Sequence, residues 1–183
     1  MRLAVVTGNP NKAEEIGAFL EGTVSVEHVS LECPEYRDDE VGPIAREKGR
    51  YAFEELRRPL IVDDTGFFVN ALRGFPGPYA AYVLGTIGNA GLLRLLEGTD
   101  DRTAYFVTVV AFADESGVHL FEGRLEGEIT TAPRGTGGFG YDPIFAVHGR
   151  TLAELPLEEK NLFSHRARAL GAFRDWFLAG GSR

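Results

Sequence analysis

Short apolar runs alternate with helical patterns in the first third of the chain. Apolar runs at Leu3–Val6, residues 24–29 and residues 60–62 predict three strands. Between them, apolar residues at helical spacing predict one helix over residues 11–21 and a second that begins near Pro43, which fits a first helical position. The residues expected on the buried faces are Ala13, Ile16, Phe19 and Leu20 in the first helix, and Ile44, Ala45, Ala52, Phe53 and Leu56 in the second.

The rest of the chain predicts a long antiparallel hairpin between helical segments. Residues 103–113 are apolar on both alternating faces, as in a strand that is covered on both sides. A turn at residues 115–117 would lead into an antiparallel partner over residues 118–130. The helices before and after this hairpin are expected to bury Leu92, Leu93, Leu95 and Leu96, and Leu170, Phe173, Phe177 and Leu178. These elements together predict an α/β fold with a mixed central sheet flanked by helices.

Composition and charge narrow the classes of function. The 183 residues, 44% of them hydrophobic, suit a single domain over residues 1–183, and no apolar run of about 18 residues predicts a membrane span. The net charge of −8 disfavours a nucleic-acid backbone as partner. A small polyphosphate is still allowed if a metal ion and a few cations offset its charge. The one cysteine, Cys33, suits a reducing cytoplasm and is expected to be a packed or bystander thiol, with a nucleophile as the alternative.

The segment between the first strand and the first helix carries the first polar cluster. It contains Thr7, Gly8, Asn9, Pro10, Asn11 and Lys12. Free N–H groups at the helix start favour an anion, Lys12 adds a full positive charge, and Gly8 allows the backbone to approach a ligand closely. The segment lacks the glycine spacing of a Walker P-loop, and a turn with a helix N-cap is the alternative interpretation.

Two adjacent carboxylates, Asp63 and Asp64, directly follow the third apolar run. Such a pair is costly to bury unless it binds a cation or strong donors, and its hard oxygen atoms suit Mg²⁺. One carboxylate could hold the metal and also accept a proton from a polarised water. A turn or N-cap is the plain alternative. The triplet at residues 64–66, Asp-Thr-Gly, also occurs in aspartic proteases, but Phe67 follows it and the helical patterns argue against an all-β protease.

A glycine-rich segment over residues 135–143 forms the third cluster. Its aromatic residues Phe139 or Tyr141 could stack on a planar base. Further along the chain are three possible donors to a keto oxygen of a purine: Lys160, His165 and Arg166. Each of them alone is more typical of a helix surface, a cap or an ion pair. Together the three clusters describe a nucleotide site with a phosphate loop, metal-binding carboxylates and a base pocket.

Six short motifs, in this order, resemble the inosine triphosphate pyrophosphatase family over nearly the whole chain. They are Thr7-Gly8-Asn9…Lys12, Pro34-Glu35-Tyr36, Val62-Asp63-Asp64-Thr65-Gly66, Phe75-Pro76-Gly77-Pro78-Tyr79, Phe139-Gly140-Tyr141-Asp142-Pro143 and Glu159-Lys160…Ser164-His165-Arg166. The second and fourth are similar to those of archaeal and eukaryotic members. The resemblance implies an elongated, two-lobed domain with a cleft, a homodimer, and hydrolysis of ITP, XTP and their deoxy forms to the monophosphate and pyrophosphate.

The resemblance also implies a role for each matching residue. The segment from Thr7 to Lys12 would hold the triphosphate, and Glu35 and Asp64 would bind Mg²⁺. Asp64 would accept the proton of the attacking water, with Asp63 supporting it in the same site. The residues implied to contact the substrate are Lys48 and Thr65, then Phe139, Gly140, Tyr141 and Asp142 around the base, and Lys160, His165 and Arg166 along its edge.

Two departures from the family pattern concern substrate recognition. Ala81 and Tyr82 stand where members often carry a Lys or Arg, so one expected cation is absent, and Tyr141 stands where some relatives have Trp. Two other functions stay open. One is a Maf-type pyrophosphatase acting on modified pyrimidine nucleotides, whose relatives lack the His165-Arg166 ending. The other is a nucleotide-binding sensor without turnover, which would not need two carboxylates beside a polyphosphate.

Overall fold

The computed structural model of this chain describes residues 2–181 and contains one mixed β-sheet with helices packed on both faces. The strands are β1 (Leu3–Val6), β2 (Val26–Val29), β3 (Leu60–Val69), β4 (Pro76–Gly77), β5 (Thr103–Asp114), β6 (Gly117–Ile129), β7 (Phe145–Val147) and β8 (Arg150–Thr151). The helices are α1 (Pro10–Leu20), α2 (Val41–Leu56), α3 (Ala80–Thr86), α4 (Gly88–Leu95), α5 (Leu157–Lys160) and α6 (His165–Leu178), with short 3-10 turns at Asn70–Leu72 and Leu152–Glu154. Within residues 2–181, every helix is too short or too polar to cross a membrane.

The sheet changes from parallel to antiparallel at β3. The strands lie in the order β2-β1-β3-β5-β6-β7-β8, and β4 pairs with β3. The first three are parallel because α1 and α2 each cross over between successive strands, whereas the pairs from β3 to β8 are antiparallel. The predicted α/β fold with a mixed sheet is confirmed, and the predicted hairpin corresponds to β5 and β6.

Among residues 2–181, no strand pairs with one edge of β3 between the point where β1 stops and the start of β4. β1 pairs with β3 only as far as Val62, and β4 joins the same edge at Phe67. On the opposite edge, β5 pairs with β3 along its whole length. The expectation that the third strand ends before Asp63 and Asp64 is therefore wrong, because pairing with β5 continues that strand to Val69. Both carboxylates lie mid-strand, beside a gap left by the shorter β1.

Three apolar clusters form the cores of two lobes: two clusters lie in one lobe and the third lies in the other. Two of them lie on opposite faces of the same part of the sheet, since neighbouring side chains of a strand point to opposite faces. Ile61 packs with α1 and α6, whereas Val62 packs with α2. The third cluster surrounds Phe67 and includes residues of α3 and α4. The part of β3 between these clusters borders the gap, in agreement with a two-lobed fold and a cleft.

A glycine in β6 allows α6 to lie directly against the sheet. A Cβ atom at Gly123 would be 2.0 Å from the backbone oxygen of His165 and 2.5 Å from the backbone nitrogen of Ala169. Both are backbone atoms that cannot rotate away, so only glycine permits this contact. The first turn of α6, which begins at His165, is thereby held close to β5 and β6.

Some local expectations differ from the structure. α1 begins at Pro10, and α2 begins two residues before Pro43. Pro43 still lies in the first turn of α2, where a backbone N–H has no helical partner, so the N–H that proline lacks costs no hydrogen bond. Leu95 and Leu178 were expected to be buried but are 49% and 61% exposed. The buried residues of the same helical segments are Leu92 and Leu96, and Leu170 and Phe173, so Leu95 and Leu178 lie outside the face that packs on the core.

Candidate active site

A pocket of about 430 Å³ lies beside the unpaired edge of β3. Its walls include most of the residues that the sequence assigned to the site: Thr7, Gly8, Asn9, Lys12, Glu35, Lys48, Asp63, Asp64, Thr65, Phe139, Gly140, Tyr141, Asp142, His165 and Arg166. Three assigned residues do not line it, namely Pro10, Asn11 and Lys160. Segments far apart in sequence therefore meet at one cleft between the two lobes.

The loop before α1 is organised by hydrogen bonds within itself. Thr7 Oγ1 accepts from the backbone N–H of Asn9 at 3.1 Å, and the side chain of Asn9 caps α1 by accepting from the backbone N–H of Asn11 at 3.0 Å. A Cβ atom at Gly8 would meet no atom within 4 Å, so the loop backbone is open there. The N-cap interpretation is correct, and it is compatible with anion binding at the same helix start.

Asp63 is a buried carboxylate held between two cations. Arg166 Nε donates to its Oδ2 at 2.9 Å, and Lys12 Nζ lies 3.3 Å from its Oδ1. Oδ1 makes no hydrogen bond of good geometry within residues 2–181, so its contact with Lys12 is an ion pair only. Burial alone would raise the pKa of Asp63, but the charges of Lys12 and Arg166 outweigh it and hold the pKa below its ordinary value. Asp63 therefore stays ionised and anchors both cations.

Asp64, the next residue, has the opposite electrostatic character. Its Oδ1 accepts from the backbone N–H of Thr65 at 3.1 Å and lies 3.5 Å from Lys48 Nζ. Burial raises the pKa of Asp64 above its ordinary value, despite the opposing charges of Lys12 and Lys48, and the charge of Asp63 adds to the rise. A carboxylate with a raised pKa is the better proton acceptor of the two.

The donor set beside Asp64 suits a metal ion that is shared with substrate. Within residues 2–181, no three side chains of His, Cys, Asp or Glu are grouped as a complete metal site. Mg²⁺ usually takes one or two carboxylates and completes its shell with waters and phosphate oxygens. Asp64 and Glu35 both line the pocket, whereas Asp63 is already committed to two cations. Two protein carboxylates in an open pocket fit this mode of binding.

A buried ion network supports the far side of the pocket. Glu15 on α1 accepts from Lys160 Nζ and from Arg166 Nη1, each at 2.5 Å. Lys160 Nζ also donates to Asp142 Oδ2 at 2.7 Å, and the same oxygen accepts from the backbone N–H of Phe139 at 2.9 Å. The network therefore ties α1, α5 and α6 to the glycine-rich loop.

The network changes the expected role of Lys160. Its ammonium group is buried and bonded to two carboxylates, and it does not line the pocket. Lys160 Nζ instead lies over the ring of Phe139, 5.0 Å from its centre, and Arg166 Cζ lies 5.7 Å from the same centre. In this arrangement Lys160 makes a cation–π contact with the aromatic ring and is itself held by two carboxylates.

The two aromatic candidates of the glycine-rich loop, Phe139 and Tyr141, differ in how far they are buried. The ring of Tyr141 is 4% exposed and packs 4.7 Å from that of Phe67, and its hydroxyl donates to the backbone oxygen of Ala80 at 2.7 Å. Burial raises the pKa of Tyr141. The ring of Phe139 is partly exposed and lines the pocket. Phe139 is therefore the aromatic side chain of this loop that has exposed surface in the pocket, where a base could stack.

A sequence model described as the Ham1 family matches residues 3–176. The chain belongs to the Ham1 family. It is 46% identical over 179 residues to the "dITP/XTP pyrophosphatase" of Thermococcus kodakarensis, a match that covers 96% of this chain and 97% of that protein. It is 44% identical over 180 residues to "Inosine triphosphate pyrophosphatase 1" of Trypanosoma cruzi, covering 96% and 92%. The solved structure of a HAM1 protein from Coxiella burnetii matches with a TM-score of 0.86 at 31% identity, covering 98% and 99%.

These matches confirm the family resemblance that the six motifs predicted. Two buried polar residues that contact the pocket residues of this Ham1 chain were nevertheless not predicted from the sequence. Glu15 lies three residues after Lys12, a spacing that places both on one face of α1 and could have indicated it. Thr108 lies within the apolar pattern of β5, and its register opposite Thr65 becomes visible only in the folded sheet.

Proposed function

We propose that this chain hydrolyses abnormal purine nucleoside triphosphates, such as ITP, dITP and XTP, to the monophosphate and pyrophosphate, with Mg²⁺ as cofactor. The observation that carries the proposal is one pocket lined both by phosphate-binding groups, Lys12 and Lys48, and by base-binding groups, Phe139 and His165, with Asp64 in the same wall. Relatives that are named for dITP, XTP and inosine triphosphate support this substrate class.

In the proposed reaction, the side chains of β3 and its neighbours bind the triphosphate and move one proton. Asp64 accepts the proton of the attacking water, for which its raised pKa is suited. Lys12, Lys48 and the start of α1 hold the phosphates. Asp64 and Glu35 would hold the Mg²⁺, which supplies positive charge to the phosphate oxygens when it is bound.

Substrate choice is proposed to come from hydrogen-bond donors near Phe139. A 6-keto purine presents an acceptor, whereas the 6-amino group of adenine would set donor against donor and leave buried groups unpaired. Arg166 and His165 line this part of the pocket, and Phe139 provides the stacking surface. ATP is therefore expected to be a poor substrate.

The test is a substrate panel of ITP, XTP, dITP, GTP and ATP with Mg²⁺, in which pyrophosphate and orthophosphate are measured separately. We expect pyrophosphate from ITP, XTP and dITP. Release of orthophosphate in its place would contradict the cleavage position. Binding of ITP without either product would indicate the nucleotide sensor.

Two carboxylate variants test the division of roles in the pocket. Asp64→Asn should lower kcat by roughly 10²–10⁴-fold while ITP still binds, because the proton acceptor is lost. Glu35→Gln should instead raise the Mg²⁺ concentration needed for half-maximal activity. Glu32→Gln is the matched control, since Glu32 is another exposed carboxylate of the pocket wall and should leave both quantities unchanged. Full activity in Asp64→Asn would remove Asp64 from this role.

A homodimer and a cytoplasmic location complete the proposal. Exposed aromatic side chains beside the pocket, Tyr82 at 72% and Tyr79 at 45%, support a surface that is covered in an assembly. Light scattering should then give twice the 20.0 kDa of the chain, and a monomer mass would contradict the dimer. The single cysteine, Cys33, supports a reducing compartment, which cell fractionation would test.

A further inference from the structure

A line of four polar side chains connects Arg166 to His165 through two threonines. Arg166 Nη2 donates to Thr65 Oγ1 at 3.3 Å, Thr65 Oγ1 lies 2.6 Å from Thr108 Oγ1, and Thr108 Oγ1 lies 2.7 Å from His165 Nδ1. Thr108 is completely buried, and Arg166 and His165 are nearly so. Thr65 and Thr108 are directly opposite each other in the register of β3 and β5, so the sheet itself sets the central contact.

The arginine end fixes the direction of hydrogen bonding along this line. A guanidinium group carries only donors, so Thr65 Oγ1 accepts from Arg166. The other side-chain contact of Thr65 within residues 2–181 is Thr108, so the Thr65 hydroxyl donates there. Thr108 then has its own hydrogen left to give, and His165 Nδ1 is the atom within reach.

The reverse direction leaves the hydroxyl of Thr65 without an acceptor among residues 2–181. If His165 Nδ1 carried the hydrogen, Thr108 would accept from it and donate to Thr65. Thr65 Oγ1 would then accept from both Arg166 and Thr108, and its own hydrogen would have no protein acceptor within residues 2–181. Thr65 is half-buried in the pocket wall, so only water or a bound ligand can accept that hydrogen, and ordering such a partner costs entropy. The direction from Arg166 to His165 satisfies every hydroxyl in the line with protein groups alone.

The imidazole of His165 carries a single hydrogen, so its position matters. Burial lowers the pKa of His165 well below its ordinary value, and the nearby charges of Arg166, Lys160 and Lys12 lower it further. The ring also stacks on Phe106, with centres 4.6 Å apart and planes 20° apart, which holds its orientation. A neutral ring with a fixed orientation offers the pocket either a donor or an acceptor, depending on its tautomer.

We propose that Thr108 is a positioning residue that fixes His165 in the tautomer with its hydrogen on Nε2. Nε2 lies on the ring edge away from Nδ1, and it makes no hydrogen bond within residues 2–181, so it is the atom of His165 that a ligand can reach. His165 then presents an N–H donor, which matches a keto oxygen and opposes an amino group. Thr108 does not line the pocket and acts only through His165. The choice of a purine as ligand rests on the proposed function, whereas the tautomer does not.

The tautomer can be measured without any nucleotide. Long-range ¹H–¹⁵N correlation of the ¹⁵N-histidine-labelled chain distinguishes protonated from unprotonated ring nitrogens, and His165→Gln assigns the signal among the four histidines. We expect a protonated Nε2 and an unprotonated Nδ1 for His165 in the wild-type protein. A protonated Nδ1, or an even mixture, would overturn the proposal on the wild-type spectrum alone, whether or not any variant folds.

Variants then connect the tautomer to Thr108. Thr108→Val removes the hydroxyl at nearly constant shape and should produce a mixture of tautomers, whereas Thr108→Ser should keep the wild-type pattern. Thr151→Val is the matched control, because Thr151 is equally buried and its hydroxyl bonds to the backbone oxygen of Arg134, outside this line. The proposal fails if Thr108→Val leaves the spectrum of His165 unchanged, or if Thr151→Val changes it to the same extent.

Kinetics tests the consequence for recognition. In Thr108→Val the ratio of kcat/KM for ITP to that for ATP should fall by about threefold to tenfold, mainly through a higher KM for ITP, and Thr108→Ser should restore it. An unchanged ratio together with an altered tautomer would refute the recognition role. If the wild-type chain releases no pyrophosphate from ITP, the proposed function fails, and the spectrum still decides the tautomer on its own.

Discussion

Glu15 is the residue whose neutralisation should disturb the buried site most. Its carboxylate bonds to Lys160 and Arg166, and all three side chains are no more than 5% exposed. The network as a whole is balanced, with three cations against three carboxylates: Lys12, Lys160 and Arg166 against Glu15, Asp63 and Asp142. Glu15→Gln keeps the shape of the side chain but leaves one positive charge in excess. We therefore expect a large loss of stability from a change of few atoms.

The size of that loss follows from burial. Removing one partner of a buried ion pair costs about 3–5 kcal/mol, because the remaining charge stays desolvated without compensation. A chain of this length loses roughly 2–4 °C in Tm for each kcal/mol. The expected decrease in Tm is therefore about 6–20 °C. Such a loss is a large share of the roughly 5–15 kcal/mol by which domains are stable, yet the variant should still fold at low temperature.

The assay is urea unfolding, monitored by the fluorescence of Trp176, which is the one tryptophan. Trp176 lies on α6 and packs on Phe112 of the core. Glu14→Gln is the matched control, since Glu14 is the preceding residue on α1 and is exposed. It should leave the unfolding midpoint unchanged. A loss below about 1 kcal/mol in Glu15→Gln would refute the reasoning, because it would mean that water or a proton already compensates the buried charges.

Three further predictions concern α6 and the base pocket. Gly123→Ala should destabilise the chain by about 1–3 kcal/mol or more and lower ITP turnover, because the added Cβ would push α6 away from the sheet. The control is Gly17→Ala, whose added Cβ would meet no atom of residues 2–181 within 4 Å. Thermal melts should show this control to be neutral or stabilised. Phe139→Ala should raise KM for ITP by about tenfold or more with little change in kcat, and an unchanged KM would exclude stacking. Because the pKa of His165 is lowered on folding, the unfolded chain binds more protons below pH 6.5. His165 should therefore remove about 1.4 kcal/mol of stability per pH unit as the pH falls through that range, and urea unfolding of His165→Gln should lack this contribution.

Local patterns predicted the order of the elements, whereas strand lengths depended on contacts distant in sequence. The apolar run at residues 60–62 indicates where β3 begins, and residues 67–69 are apolar again, but the polar residues Asp63, Asp64 and Thr65 between them hide the continuity of the strand. Its extension through Asp63 and Asp64 is stabilised by pairing with Val110 and Val109 of β5. Two carboxylates disfavour a strand locally, and cross-strand pairing overrides that preference.

Contacts that are distant in sequence also limited how much of the site could be predicted. Motif order was sufficient to identify most residues of the pocket wall, because a phosphate loop, a carboxylate pair and a glycine-rich loop are each short in sequence. The burial of Lys160 could not be predicted, since its partner Glu15 lies 145 positions away. Glu15 meets Lys160 of α5 and Arg166 of α6 only when α1 and α6 have packed against the same face of the sheet.

The alternation of side chains along β3 explains why two adjacent aspartates do different work. Asp63 points to the same face as Ile61, toward α1 and α6, where Lys12 and Arg166 meet it. Asp64 points to the opposite face, as Val62 does, toward Lys48 of α2. The cations around Asp63 outweigh its burial and keep its pKa low, whereas burial outweighs the charges of Lys12 and Lys48 at Asp64 and raises its pKa. A shift of one residue in the register of β3 would turn each aspartate to the other face of the sheet. The pairing with β5 that fixes the register therefore also determines which aspartate has the raised pKa that the proposed proton acceptor needs.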